Sequence, residues 1–150
     1  MTSEVRLESN LTRRYTLAGY WGNLIVSDFV EKWSRDYPDE VAVVYDNNHI
    51  TYHALEQSVD SLAASLVDLG VSKGNIVSAQ LPNWPEFIYL WVAAAKIGAI
   101  FNPINSQLRS KEVSHVLSQC SPRVDVVIPT KIKVNNFQKT TELLPQLPNV

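Results

Sequence analysis

Residues 85–97 run Pro-Glu-Phe-Ile-Tyr-Leu-Trp-Val-Ala-Ala-Ala-Lys-Ile, and this stretch constrains the fold more than any other in the chain. Proline at the first position followed by a breaker-free run predicts a helix. Its apolar residues surround the axis, where a surface helix would carry a single stripe, so it needs cover on nearly every side. Withdrawing a large apolar side chain from water is worth roughly 1.5–3 kcal/mol, so exposing several of Phe87, Tyr89, Trp91 and Val92 would forfeit an amount comparable with a domain's whole stability. The pattern predicts a helix held between two sheets, the second of which is not in this chain, and hence an incomplete piece of a larger protein. Alternatively, it is an unusually apolar helix in a small domain or at a dimer interface.

The surrounding sequence predicts an α/β fold. Residues 1–22 mix charge, aromatics and glycines in neither a helical nor a strand period and read as an extension. A helix is predicted from Ser27, its N-cap, with Val26, Phe29, Val30, Trp33 and Tyr37 at helical spacing and Pro38 ending the run. Residues 41–45 and 50–52 read as a hairpin whose turn is Asp46, Asn47, Asn48 and His49. An amphipathic helix follows over 53–69, with Leu55, Val59, Leu62, Ala63, Leu66 and Leu69 on one face and Gly70 as its C-terminal cap. Thereafter strands and helices alternate: strand 75–81, helix 85–97, strand 99–104, helix 111–120 capped by Ser110, strand 124–129, and a final helix around 137–144. Such alternation predicts a mainly parallel sheet with flanking helices. The division is an extension over 1–22 and a partial domain over 23–150.

Composition excludes several classes. Thirteen Lys and Arg against fifteen Asp and Glu give a net charge of -2, which provides no electrostatic footprint for nucleic acid or anionic lipid. The single cysteine, Cys120, can form no intramolecular disulfide and no Cys-x-x-Cys site, so a reducing, cytoplasmic setting is expected. The N-terminus lacks the apolar core of a secretory signal, and the apolar run 87–101 is broken by Lys96 and Gly98, so no membrane span is expected.

Few residues carry chemistry. Gly70 and Gly74 superficially suggest a phosphate loop, but their spacing is wrong and they lead into a strand instead of opening a helix, so a plain turn is expected. Gly-x-Gly-x-x-Gly and Gly-x-Ser-x-Gly do not occur. His49 falls in the predicted turn, His53 begins a helix and His115 lies on another beside Glu112; surface roles are expected, not a metal face. The turns Leu81-Pro82-Asn83 and Asn102-Pro103-Ile104-Asn105 sit at the carboxyl ends of strands, where open α/β sheets place ligands. Asn83 and Asn105 are the candidate ligand contacts, although asparagine is also the ordinary residue of a helix start or a proline turn.

Taken in order, several segments resemble the AMP-forming adenylating enzymes, which include acyl-CoA synthetases and aryl-AMP ligases. They are Pro38-Asp39-Glu40-Val41-Ala42-Val43-Val44, Ile50-Thr51-Tyr52-His53-Ala54-Leu55, Leu69-Gly70-Val71, Gln80-Leu81-Pro82-Asn83-Trp84-Pro85-Glu86-Phe87, Lys96-Ile97-Gly98-Ala99 and Asn102-Pro103-Ile104-Asn105. The opening Arg13-Arg14-Tyr15 through Gly19-Tyr20-Trp21, with residues 80–87, is most similar to medium-chain fatty acyl-CoA, cyclohexanecarboxylate-CoA and 2,3-dihydroxybenzoate-AMP ligases. Ser121-Pro122-Arg123 departs from the small apolar residue more usual there.

The resemblance implies the N-terminal portion of a large domain that stacks two sheets with helices between them. It also implies an ATP-dependent ligase that converts a carboxylic acid to an acyl adenylate and passes it to CoA, with ATP, Mg and CoA serving the parent enzyme. The family's Thr-Ser-Gly-rich phosphate loop, ribose-binding Asp and C-terminal-domain Lys have no counterpart in this sequence. The resemblance therefore assigns no catalytic, cofactor-binding or metal residue, and the chain alone is expected to be inactive. The alternative is a freestanding α/β binding or interaction module, and self-association through exposed apolar surface is open.

Overall fold

The protein is described by a computed structural model over residues 9–127. In chain order the elements are α1 (Ser9–Leu17), α2 (Val26–Asp36), β1 (Val41–Tyr45), β2 (Asn48–Thr51), α3 (Tyr52–Asp68), β3 (Ile76–Gln80), α4 (Pro85–Lys96), β4 (Ile100–Pro103), α5 (Ser110–Cys120) and β5 (Val124–Val127). The α/β class holds. Strands β4, β3 and β5 form a parallel sheet in that order, and β1 pairs with β2 as a separate antiparallel hairpin.

The strand order decides where the helices lie. Passing from β3 to β4 moves outward across the sheet, and passing from β4 to β5 moves back past β3. Two right-handed crossovers travelling in opposite directions put their helices on opposite faces. Two apolar clusters result. One joins Leu55, Val59, Ala63 and Leu66 of α3 and Leu90, Val92, Ala93 and Ala94 of α4 to Val77 and Ala79 of β3. The other, smaller one sets Val113 and Leu117 of α5 with Ile104.

Helix α4 is covered over most of its surface within the described residues. Within residues 9–127 its cover is β4 on one side and α2 and α3 on another, and Ala42, Val43 and Ile50 of the separate β1–β2 sheet pack against the same apolar cluster. Val92 is buried, Phe87 and Tyr89 are half-buried, and Trp91 alone of the four is exposed, at 45%. The amphipathic stripe of α3 supplies part of that apolar cover. Lys96, at the helix end, makes ion pairs with Glu31 and Asp60 and so ties α4 to both neighbouring helices.

Local chemistry corrects other boundaries. Within the supposed extension, α1 is a helix: Tyr15 stacks on Tyr20 and Trp21, with ring centroids 6.3 and 5.2 Å apart, and its carbonyl accepts both of their amides. Those contacts are aromatic and local, so no apolar period announces them. Ser27 is not a cap but a buried helical residue; Ile25 holds the cap position, and the Asp28 carboxylate accepts its N–H at 2.8 Å. Ser110 is likewise helical, because Glu112 accepts the Arg109 N–H at 3.1 Å. A carboxylate three residues into a helix satisfies an orphan donor as well as a serine cap does.

The hairpin turn is two residues, Asp46 and Asn47, with Asp46 at φ 52 and Tyr45 opposite Asn48, so Asn48 and His49 are strand residues. Helix α3 starts at Tyr52, where the Thr51 hydroxyl accepts the Ala54 N–H at 3.2 Å. It ends as expected at Gly70: the Val71 and Gly70 amides reach back to the Leu66 and Val67 carbonyls, a closure that needs the positive φ of glycine. Gly98 closes α4 in the same way on Ala94 and Ala95. The last part of strand 124–129 and the helix expected at 137–144 lie outside the described residues.

Candidate functional site

The parallel strands β3 and β4 deliver the two proline turns to the same edge of the sheet. Between them opens a cleft of about 600 Å³ whose lining includes Asn83, Phe87, Ile104, Asn105, Ser106 and Gln107. Asn83 and Asn105, the sequence candidates, are thus brought together, and both are exposed. Asn105 also shapes its own turn, because its side-chain oxygen accepts the Gln107 N–H at 2.9 Å. Phe87 meets Phe101 edge-on, centroids 5.2 Å apart, which fixes the first turn of α4 against β4.

Gln80, which heads one of the resembling segments but is not a candidate contact in the sequence reading, organises this edge. Only 1% exposed, it donates from Nε2 to the carbonyls of Asn105 at 3.0 Å and Leu108 at 3.3 Å. A buried amide bonded to two loop carbonyls holds the β4–α5 connection in place. A signal does exist: Ser78 and Gln80 alternate with Val77 and Ala79, a period-two pattern of polar positions in a buried strand.

Those alternate positions head a polar row across the α5 face. Asn102 on β4 is opposite Ser78 on β3, which is opposite Asp125 on β5. The Asn102 amide donates to the Ser78 hydroxyl at 2.8 Å and approaches the Cys120 sulfur at 3.4 Å. Both carboxylate oxygens of Asp125 are buried without a hydrogen-bond partner among the described residues. Burial pushes its carboxyl up to about 6.

The other candidates are accounted for. His49, on β2, and His53 and His115, on helices, are all exposed; the His53 ring nitrogen lies 3.1 Å from the Gln57 side-chain nitrogen. Among the described residues no three His, Cys, Asp or Glu side chains come together as a metal site. Gly70 and Gly74 belong to a helix-to-strand turn, where the Gly74 amide bonds the Gly98 carbonyl at 2.9 Å. Among the described residues the wall of the β3–β4 cleft carries no charged side chain. Its donor set suits an apolar or neutral polar group and does not fit Mg-bound triphosphate, which needs cations or converging backbone amides.

An open parallel sheet with a cleft at its carboxyl edge places this chain among α/β domains, the class that commonly binds ligands at that edge. Residues 30–150 match the AMP-binding enzyme family, and the chain belongs to it. It is 33% identical over 154 residues to a medium-chain fatty-acid–CoA ligase of Escherichia coli K12, an alignment covering 91% of this chain and 27% of that protein. A salicylyl-CoA synthase/salicylate adenylyltransferase of a Streptomyces species is 38% identical over 85 residues, which is 57% of this chain and 15% of the relative. Among solved structures, the N-terminal subdomain of Klebsiella oxytoca NpsA in complex with 3-hydroxybenzoyl-AMSN aligns with a TM-score of 0.64 at 33% identity, covering 71% of this chain and 28% of that one. The resemblance to adenylating ligases therefore stands, and the chain spans about a quarter of the E. coli relative's length, 27%. Among the described residues no helix is long and apolar enough to cross a membrane.

Proposed function

We propose that this chain is the N-terminal part of an AMP-forming acyl-CoA synthetase. A carboxylate attacks the α-phosphorus of ATP, forming the acyl adenylate and releasing pyrophosphate; the CoA thiolate then attacks the acyl carbon and AMP departs. The match of residues 30–150 to the AMP-binding family carries the proposal. The uncharged cleft between Asn83 and Asn105, walled by Phe87 and Ile104, supports a place for the apolar or aryl portion of the acid. ATP, Mg and CoA belong to the parent enzyme and do not bind tightly to these residues alone. A half-buried Cys120 with no disulfide partner supports a reducing, cytoplasmic setting.

Pyrophosphate release with ATP and a panel of straight-chain and aryl carboxylates tests the proposal. The parent protein should turn over at least one acid, and the 150-residue chain should give only background. No adenylate from the parent with any acid would overturn the ligase assignment, and robust turnover by the chain alone would overturn its inactivity.

A further inference from the structure

A second cleft, of about 530 Å³, opens between the β1–β2 hairpin and the first turn of α4. Tyr45, Trp84 and Tyr89 line it, with Asn48, His49 and Glu86 beside them, and among the described residues neither Lys nor Arg contributes. The three aromatic residues are half-buried, while Glu86 is exposed. Glu86 is in no ion pair among the described residues. Its charge nevertheless reaches the wall: the Tyr89 phenol is pushed up first by burial and then by the negative charge of Glu86.

We propose that this cleft binds an organic cation of the quaternary ammonium class. Aromatic faces carry negative potential that attracts a cation within about 6 Å of the ring centroid. Glu86 adds a formal negative charge that no lysine or arginine of the cleft neutralises. An anion meets the opposite field: although α4 begins here, the carboxylate already occupies its first turn. A small hydrated metal ion finds only one carboxylate and loses more hydration than the site returns. A methylated ammonium is weakly hydrated and apolar at its rim, which matches aromatic walls with a single counter-charge. The inference does not rest on the ligase assignment.

Calorimetric titration of the full-length protein with choline chloride at constant ionic strength, beside its uncharged carbon isostere 3,3-dimethylbutan-1-ol, tests this. Choline should bind saturably and at least tenfold more tightly than the isostere. Glu86→Gln should weaken choline about fivefold, and Trp84→Leu should abolish binding. Glu86 is exposed, so its variant keeps the fold, checked by far-UV circular dichroism, and decides the matter should the tryptophan variant unfold. Absence of saturable choline binding, equal affinity for the isostere, or an unchanged affinity in Glu86→Gln would overturn the proposal.

Discussion

Asp125 should make this protein less stable at neutral pH than in mild acid, and Asp125→Asn should remove the effect. The side chain belongs to the row Asn102–Ser78–Asp125 on the α5 face, where neither carboxylate oxygen has a partner among the described residues. Arg123, two residues earlier, turns its guanidinium toward Gly70 instead. Burial raises the carboxyl from an ordinary 3.8 to about 6. At about 1.4 kcal/mol per pH unit, ionising it in the native state costs about 3 kcal/mol. The native state holds this proton more tightly than the unfolded chain, so the associated stability is fully present below pH 3.8, declines as pH rises and is gone above about pH 6.

Asparagine keeps the shape and the polar atoms but cannot ionise. Urea unfolding of both proteins should show the variant more stable by about 3 kcal/mol at pH 8 and by only about 0.5 kcal/mol at pH 4. At pH 8 its melting temperature should rise by about 6–12 °C. An equal difference at both pH values, or a less stable variant at pH 8, would refute the reasoning, because it would mean that the carboxylate is solvated or paired in the native state.

Two further substitutions probe the frame around the β3–β4 cleft. Gln80→Leu strips the Asn105 and Leu108 carbonyls of their buried donor; it should cost about 1–3 kcal/mol and speed amide exchange at Leu108 about tenfold or more, while Ile104, bonded to the Ala79 carbonyl, keeps its protection. Gly98→Ala puts a Cβ 3.0 Å from Lys73 Cγ at φ +74 and should cost about 1–2 kcal/mol in thermal unfolding. Gly22→Ala, with only the Leu24 amide nitrogen nearby at 3.9 Å, should stay within about 0.5 kcal/mol.

What can be read in the sequence follows the range of the forces involved. Helix α4 is legible from Pro85 and the unbroken run behind it, and the parallel sheet from the alternation of strands and helices after residue 75. The ends of α3 and α4 are legible because Gly70 and Gly98 close them through bonds no more than five residues long. Asn83 and Asn105 can be placed at strand ends, and parallel pairing then brings those ends together. Ser27 and Ser110 mimic caps because Asp28 and Glu112 do the same work from inside the helix, and a local pattern offers both solutions. Helix α1 escapes a periodicity reading because Tyr15, Tyr20 and Trp21 hold it without an apolar stripe.

The amino-acid sequence alone determined the α/β class, the kinship with adenylating ligases and the amount of apolar surface that α4 must hide. Propensity, capping and periodicity act within one or two turns of chain, so the class and the apolar surface are written locally, while the kinship is carried by the ordered segments that resemble the family. Tertiary structure decided what hides it, with α2 and α3 doing so within the described residues. It also decided that Gln80 reaches the Asn105 carbonyl, that Asp125 is buried opposite Ser78, and that Tyr45 faces one cleft with Trp84 and Glu86. The first two depend on the order β4-β3-β5 and the third on the packing of the separate hairpin beside α4, and no short window of sequence contains either.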